Sequence, residues 1–150
     1  MREIPKLPRW LGLAGLLPQL ACAAIVWFGP QEWYDGSQRL AAIYAGLILS
    51  FLGGMWWGIA AGAPAAERRS ALGWLWVAAV TPSLVALACL VPLAFGTGPL
   101  EATLVMLGAA LLISLGVDAR LGQLAPPWWM RLRVPLSVLL GSATIATALA

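Results

Sequence analysis

Five long apolar runs, divided by short polar connections, constrain this 150-residue chain more than anything else in its sequence. They fall at about 11–28, 40–63, 71–93, 100–117 and 134–150, and no Asp, Glu, Lys or Arg lies well inside any of them. A helix needs about 20 mainly apolar residues to cross the hydrocarbon core of a bilayer. In that core each backbone N–H and C=O must be satisfied by the protein, which a helix does within a single segment. Strands of a membrane barrel would instead be runs of about ten residues with alternating polarity. The last run is short and needs its flanks to reach the interface. The expectation is an all-α membrane protein, a bundle of five transmembrane helices forming one transmembrane domain over residues 1–150.

Composition excludes the soluble alternative. Apolar residues make up 61% of the chain and charged residues 10%, against about 25% charged in soluble domains. A small soluble domain has a high surface-to-volume ratio and needs a large polar surface. Helix-breaking residues fall between the runs: Gly29-Pro30, Gly62 to Pro64, Pro92, then Gly96, Gly98 and Pro99. Arg2, Lys6 and Arg9 ahead of Leu11 imitate a signal peptide, and Ala21-Cys22-Ala23 a cleavage site. Gln19 stands three residues before Cys22, where a lipoprotein signal carries an aliphatic residue. The apolar run also continues to Phe28, so a retained first helix is expected. Cys22 and Cys89 read as small buried hydrophobes.

Charge gives orientation. The N-terminal tail holds Arg2, Lys6 and Arg9, the second connection Arg68 and Arg69, and the fourth Arg120, Arg131 and Arg133. Only Arg39 lies on the alternate side. By the positive-inside rule the N-terminus is cytoplasmic and the C-terminus periplasmic. The net charge of +3 is therefore a topology signal and not a nucleic-acid footprint. Trp10, Trp56, Trp57, Trp74, Trp76, Trp128 and Trp129 lean towards the basic side, as an interfacial belt would. Trp56 and Trp57 lie deeper in the second run and are candidates to line a cavity or a helix contact.

Three constellations stand out. In the second run Ala42, Gly46, Ser50, Gly54, Gly58 and Gly62 recur at every fourth position. Such small-residue rows let another backbone approach closely in lipid. The row reads as one continuous groove, for packing inside the bundle, for docking of a second copy or another membrane protein, or as a backbone-lined substrate groove. Thr81-Pro82-Ser83 in the third run, and Pro18-Gln19 in the first, predict breaks or kinks with polar groups beside them; Gln19, Thr81, Pro82 and Ser83 are the kink or cavity candidates. Asp118, Arg120, Trp128, Trp129, Arg131 and Arg133 share the basic side with Arg68 and Arg69, and read as a headgroup-facing set suited to anionic lipid.

The absences narrow the function. The chain has no histidine, which removes the usual neutral-pH acid/base and the commonest metal ligand. No nucleotide loop, activated nucleophile or metal-ligand spacing is present. No catalytic residue, cofactor or metal is expected, and the partners expected are the bilayer and other membrane proteins. The leading reading is a structural, assembly or partner-binding component of a membrane. The alternative is a small permease or lipid-handling protein for a neutral or amphipathic solute.

The stretch Tyr44-Ala45-Gly46-Leu47-Ile48-Leu49-Ser50-Phe51-Leu52-Gly53-Gly54-Met55-Trp56-Trp57-Gly58 resembles the signature of an uncharacterised membrane family, domain of unknown function 3429. Asp118 with Pro127-Trp128-Trp129-Met130-Arg131-Leu132-Arg133 resembles its second block, and Leu11 to Pro18 and Pro82-Ser83-Leu84 are weaker echoes. The family has eukaryotic relatives that include a small mitochondrial transmembrane protein. The resemblance implies a bacterial inner-membrane protein and carries no activity. Members often place histidine before the Trp-Gly pair, where this chain has Trp56.

Overall fold

A computed structural model describes residues 3–63 and 72–150. Five helical rods form a bundle, and the described residues contain no strand. The first rod has two pieces, α1 (Lys6–Ala14) and α2 (Leu17–Phe28). The others are α3 (Tyr34–Gly62), α4 (Gly73–Ala94), α5 (Leu100–Arg120) and α6 (Trp129–Ala148). Four rods are long and apolar enough to cross a membrane: Lys6–Phe28, Gln31–Gly62, Gly73–Ala94 and Leu100–Arg120. The 20-residue α6, with Arg131, Arg133 and several hydroxyl side chains, is not among those four.

Several bounds differ from the sequence expectation for physical reasons. The second rod begins at Tyr34 and not near residue 40, since Tyr34 to Arg39 continue the helix beyond the apolar run. The last begins at Trp129 and not near residue 134, since Trp129 to Arg133 continue the helix ahead of the apolar run, and it carries Pro135 within it. The first rod reaches back to Lys6 but breaks at Gly15-Leu16. Pro18 explains the break, because it has no N–H and its ring excludes the carbonyl four residues back, at Ala14. The Gly15 carbonyl accepts the Tyr44 hydroxyl at 2.5 Å, tying the break to α3.

Neighbouring rods run up and down, which side-chain contacts at both ends establish. At one end Trp57 of α3 meets Trp76 of α4, and Asp118 of α5 meets Arg133 of α6. Gly12 of α1 lies against Leu132 and Leu136 of α6 at that same end. At the other end the Trp27 indole donates to the Ala146 carbonyl at 2.9 Å, and the Gln38 amide to the Thr147 carbonyl at 2.9 Å. Lys6, Arg9, Arg120, Arg131 and Arg133 therefore share one end of the bundle, and Arg39 lies at the opposite one. Arg68 and Arg69 lie outside the described residues.

Two close seams hold the rods. Along α3 and α4, Gly46 faces Leu90 and Ala86, Ser50 and Ser83 share a hydrogen bond of 2.8 Å, and Gly53 packs on the Ala79 carbonyl and Pro82. Along α5 and α6, a Cβ at Gly108 would stand 2.8 Å from the Gly141 carbonyl, and one at Gly141 2.9 Å from the Gly108 carbonyl. Backbone contact of this kind is how helices associate when lipid removes the hydrophobic drive between them. Leu49, Leu52, Leu75, Leu104, Leu107 and Leu111 fill the interior. Outside, Leu47, Phe51, Val77, Leu84 and Ile113 are exposed, an apolar exterior that suits lipid and not water.

Candidate functional site: a buried polar cluster and the outer face of α3

The second run contributes two different surfaces. An α-helix turns about 100° per residue, so each step of four overshoots a full turn by about 40°. From Ala42 to Gly62 the small-residue row thus drifts about 200° around α3. The continuous groove expected from sequence is split as a result. Ala42 and Gly46 are buried and Ser50 is half-buried against α4, but Gly54, Gly58 and Gly62 are exposed. A Cβ at any of those three would meet nothing within 4 Å among the described residues. The inward seam passes instead from Ser50 to Gly53, a spacing of three that the every-fourth pattern conceals.

Trp56 and Trp57 diverge in the same way. The Trp57 ring is half-exposed and meets Trp76 edge-on, with centroids 4.7 Å apart. Trp56 is 1% exposed, and its indole N–H donates to Asp118 Oδ1 at 2.9 Å. Trp129 Nε1 donates to the same oxygen at 3.1 Å. Arg133 Nε donates to Asp118 Oδ2 at 2.8 Å. Asp118, itself 1% exposed, is a buried carboxylate receiving three N–H donors from α3 and the start of α6.

This revises the headgroup-facing reading for two residues. Asp118 and Arg133 turn inward because α5 and α6 pack tightly, and an internal carboxylate requires a cation and donors to offset its lost hydration. Arg120 and Arg131 are exposed, while Trp128 is half-buried and tilted against Trp129, 6.2 Å between centroids. Those positions leave them available to the interface. Both lie near the ends of their rods and not well inside them, but Asp118 is closed off within the bundle where the sequence placed it at the interface.

The kink candidates separate. Thr81 and Pro82, with Trp56, line a groove of about 400 Å³ between α4 and α5 whose other walls are apolar apart from Ser114, which bonds back to the Leu111 carbonyl. Thr81 bonds back to the Val77 carbonyl at 2.8 Å, one residue before the Ala78 carbonyl that Pro82 leaves unpaired. Ser83 turns the other way, to Ser50. Gln19 is fully buried on α2, and neither polar atom of its amide has a partner among the described residues.

Sequence reasoning missed Gly53, Gly108, Gly141, Gln38 and Ser137. The glycines at 108 and 141 are single small residues in ordinary apolar helices, so nothing in either run marks them as facing each other. Asp118 carried a usable signal: it is the one carboxylate at that end of α5, and Trp-Trp and two arginines follow within reach.

No curated protein and no solved structure matches this chain. A family model described as "Protein of unknown function (DUF3429)" matches residues 4–149. That span takes in all six helical stretches, the Asp118 cluster and the α3 glycines. The chain belongs to the DUF3429 family, whose function is unknown.

Proposed function

We propose that this protein is a non-enzymatic, multi-pass component of the bacterial inner membrane that works by packing against a transmembrane helix of another membrane component, a second copy included. The observation that carries the reading is the outer strip of α3. Gly54, Gly58 and Gly62 are exposed with open space above them among the described residues, whereas Gly46, Gly53, Gly108 and Gly141 are each filled by a neighbouring helix. Glycine inside a helix costs about 1 kcal/mol relative to alanine. Close approach of a second backbone offsets that cost, as at the two internal seams.

The cytoplasmic side is assigned to the end that gathers Lys6, Arg9, Arg120, Arg131 and Arg133, by the positive-inside rule. On that assignment the N-terminus is cytoplasmic, α6 is the fifth crossing and the C-terminus is periplasmic. The 20 residues of α6 give about 30 Å of helix, one hydrocarbon thickness. Its Ser137, Thr144 and Thr147 are buried against the bundle, which leaves an outward face fit for lipid. A catalytic role is disfavoured by the state of Asp118, which is engaged by three donors and closed to a substrate.

Mild crosslinking in native membranes followed by purification tests the reading. A discrete adduct, at the mass of two copies or of one copy plus a second membrane protein, is expected. A strictly monomeric, partner-free protein overturns it.

A further inference from the structure

A cavity of about 260 Å³ lies where α1 and the break after it meet α3, α5 and α6. Leu16, Ile48, Leu52, Leu111 and Leu140 form much of its wall, and its two polar side chains are Arg133 and Ser137. Leu11 and Phe51 also line it and are 64% and 66% exposed, so its mouth opens on the lipid-facing side of the bundle. Gly12 in the last turn of α1 and Gly15 at the break before α2 also line it.

The polar pair is unfinished. Arg133 Nε is held by Asp118, but among the described residues Arg133 Nη2 is buried without a partner, and so is Ser137 Oγ. Ser137 is 2% exposed and Arg133 8%. The two stand four apart on α6, which places them on one helix face. A buried donor without an acceptor costs more than an ordinary hydrogen bond gains, so this face is built for an acceptor. A guanidinium edge suits the two oxygens of a carboxylate or phosphate. Asp118 takes the two indoles on Oδ1 and Arg133 Nε on Oδ2, and neither oxygen bonds to Nη2.

We propose that this cavity binds the oxyanion head, carboxylate or phosphate, of a single-chain amphiphile. The head accepts from Arg133 Nη2 and Ser137 Oγ, the first methylenes lie on Leu16, Ile48, Leu52 and Leu140, and the rest of the chain leaves past Leu11 and Phe51 into the bilayer. The inference does not depend on helix docking at α3, since none of Gly54, Gly58 and Gly62 lines the cavity.

The test uses the full chain in phosphatidylcholine nanodiscs, with ligand binding followed by native mass spectrometry. The probes are oleate, its methyl ester, oleoyl lysophosphatidate, acetate and inorganic phosphate. Oleate or lysophosphatidate is expected to bind one to one, and whichever binds more tightly identifies the carboxylate or phosphate source. The ester should bind about tenfold more weakly or worse, as loss of a charge-assisted hydrogen bond implies. Acetate and phosphate, lacking a tail, should not bind. Ser137→Leu fills the cavity from α6, and Ile48→Phe from α3 serves if the first variant does not fold. Either should weaken oleate binding by about tenfold or more with helicity retained. Equal binding of ester and oleate overturns the proposal. So does a folded wild-type protein that binds neither anionic amphiphile, or a folded cavity-filled variant that binds as wild type.

Discussion

The Trp56 indole N–H lies 2.9 Å from Asp118 Oδ1, joining α3 to the end of α5 across 62 residues of sequence. Trp129 and Arg133 complete the shell around the same carboxylate from the start of α6. Three rods thus converge on one buried charge, and the cluster fixes their register at that end of the bundle.

Removing that charge should be costly. Asp118→Ala leaves the Arg133 guanidinium without its counter-ion, and breaking a buried pair in this way costs about 3–5 kcal/mol. Trp56→Phe keeps the ring but deletes one donor to a charged acceptor, for about 1.5–3 kcal/mol. Reversible denaturant unfolding in detergent micelles checks both. Equal stability of Asp118→Ala and wild type would mean that the pair is not buried.

The Gly108 and Gly141 seam predicts a second loss. Gly108→Ala places a methyl 2.8 Å from the Gly141 carbonyl, where backbone must move. Overpacking of this kind costs about 1–3 kcal/mol. Gly36→Ala, where a Cβ meets nothing within 4 Å among the described residues, is the control: as an exposed helical glycine it should be neutral or slightly stabilising. The same unfolding assay compares the two.

The hydroxyl pair between α3 and α4 makes a smaller prediction. Ser50→Ala strands the Ser83 hydroxyl, and Ser50→Ala with Ser83→Ala removes both partners. The single variant should lose about 1 kcal/mol and the double variant no more than the single, because an unmade hydrogen bond is worse than an absent one. A double-mutant cycle on unfolding free energy measures this; strictly additive losses would contradict the bond.

Orientation is also measurable. Reporter fusions after Ala150 and after Leu124 should report opposite sides, with Leu124 in the cytoplasm. A C-terminus in the cytoplasm would remove α6 from the crossing helices and undo the charge assignment.

The helical architecture was legible in the sequence because hydropathy runs and breakers are local signals. The 2-residue break before α2 was also announced, by Pro18. The interior of the bundle was less legible. The row from Ala42 to Gly62 looks like one groove when read in fours, yet 3.6 residues per turn carries its second half onto the outer face. Asp118 sits next to basic residues and tryptophans in sequence, as an interfacial residue would, and only the fold shows that they close around it. Ser137 gave no signal at all, since one serine in an apolar helix commonly bonds to its own backbone.

The central claim is that the outward strip of α3 is a contact surface for another helix. Placing a photo-crosslinking side chain at Gly58, and separately at Leu84 on the exposed face of α4, tests it most directly. Crosslinking in native membranes should give a discrete protein adduct from position 58 and only lipid adducts from position 84. Lipid adducts alone from both positions would contradict it.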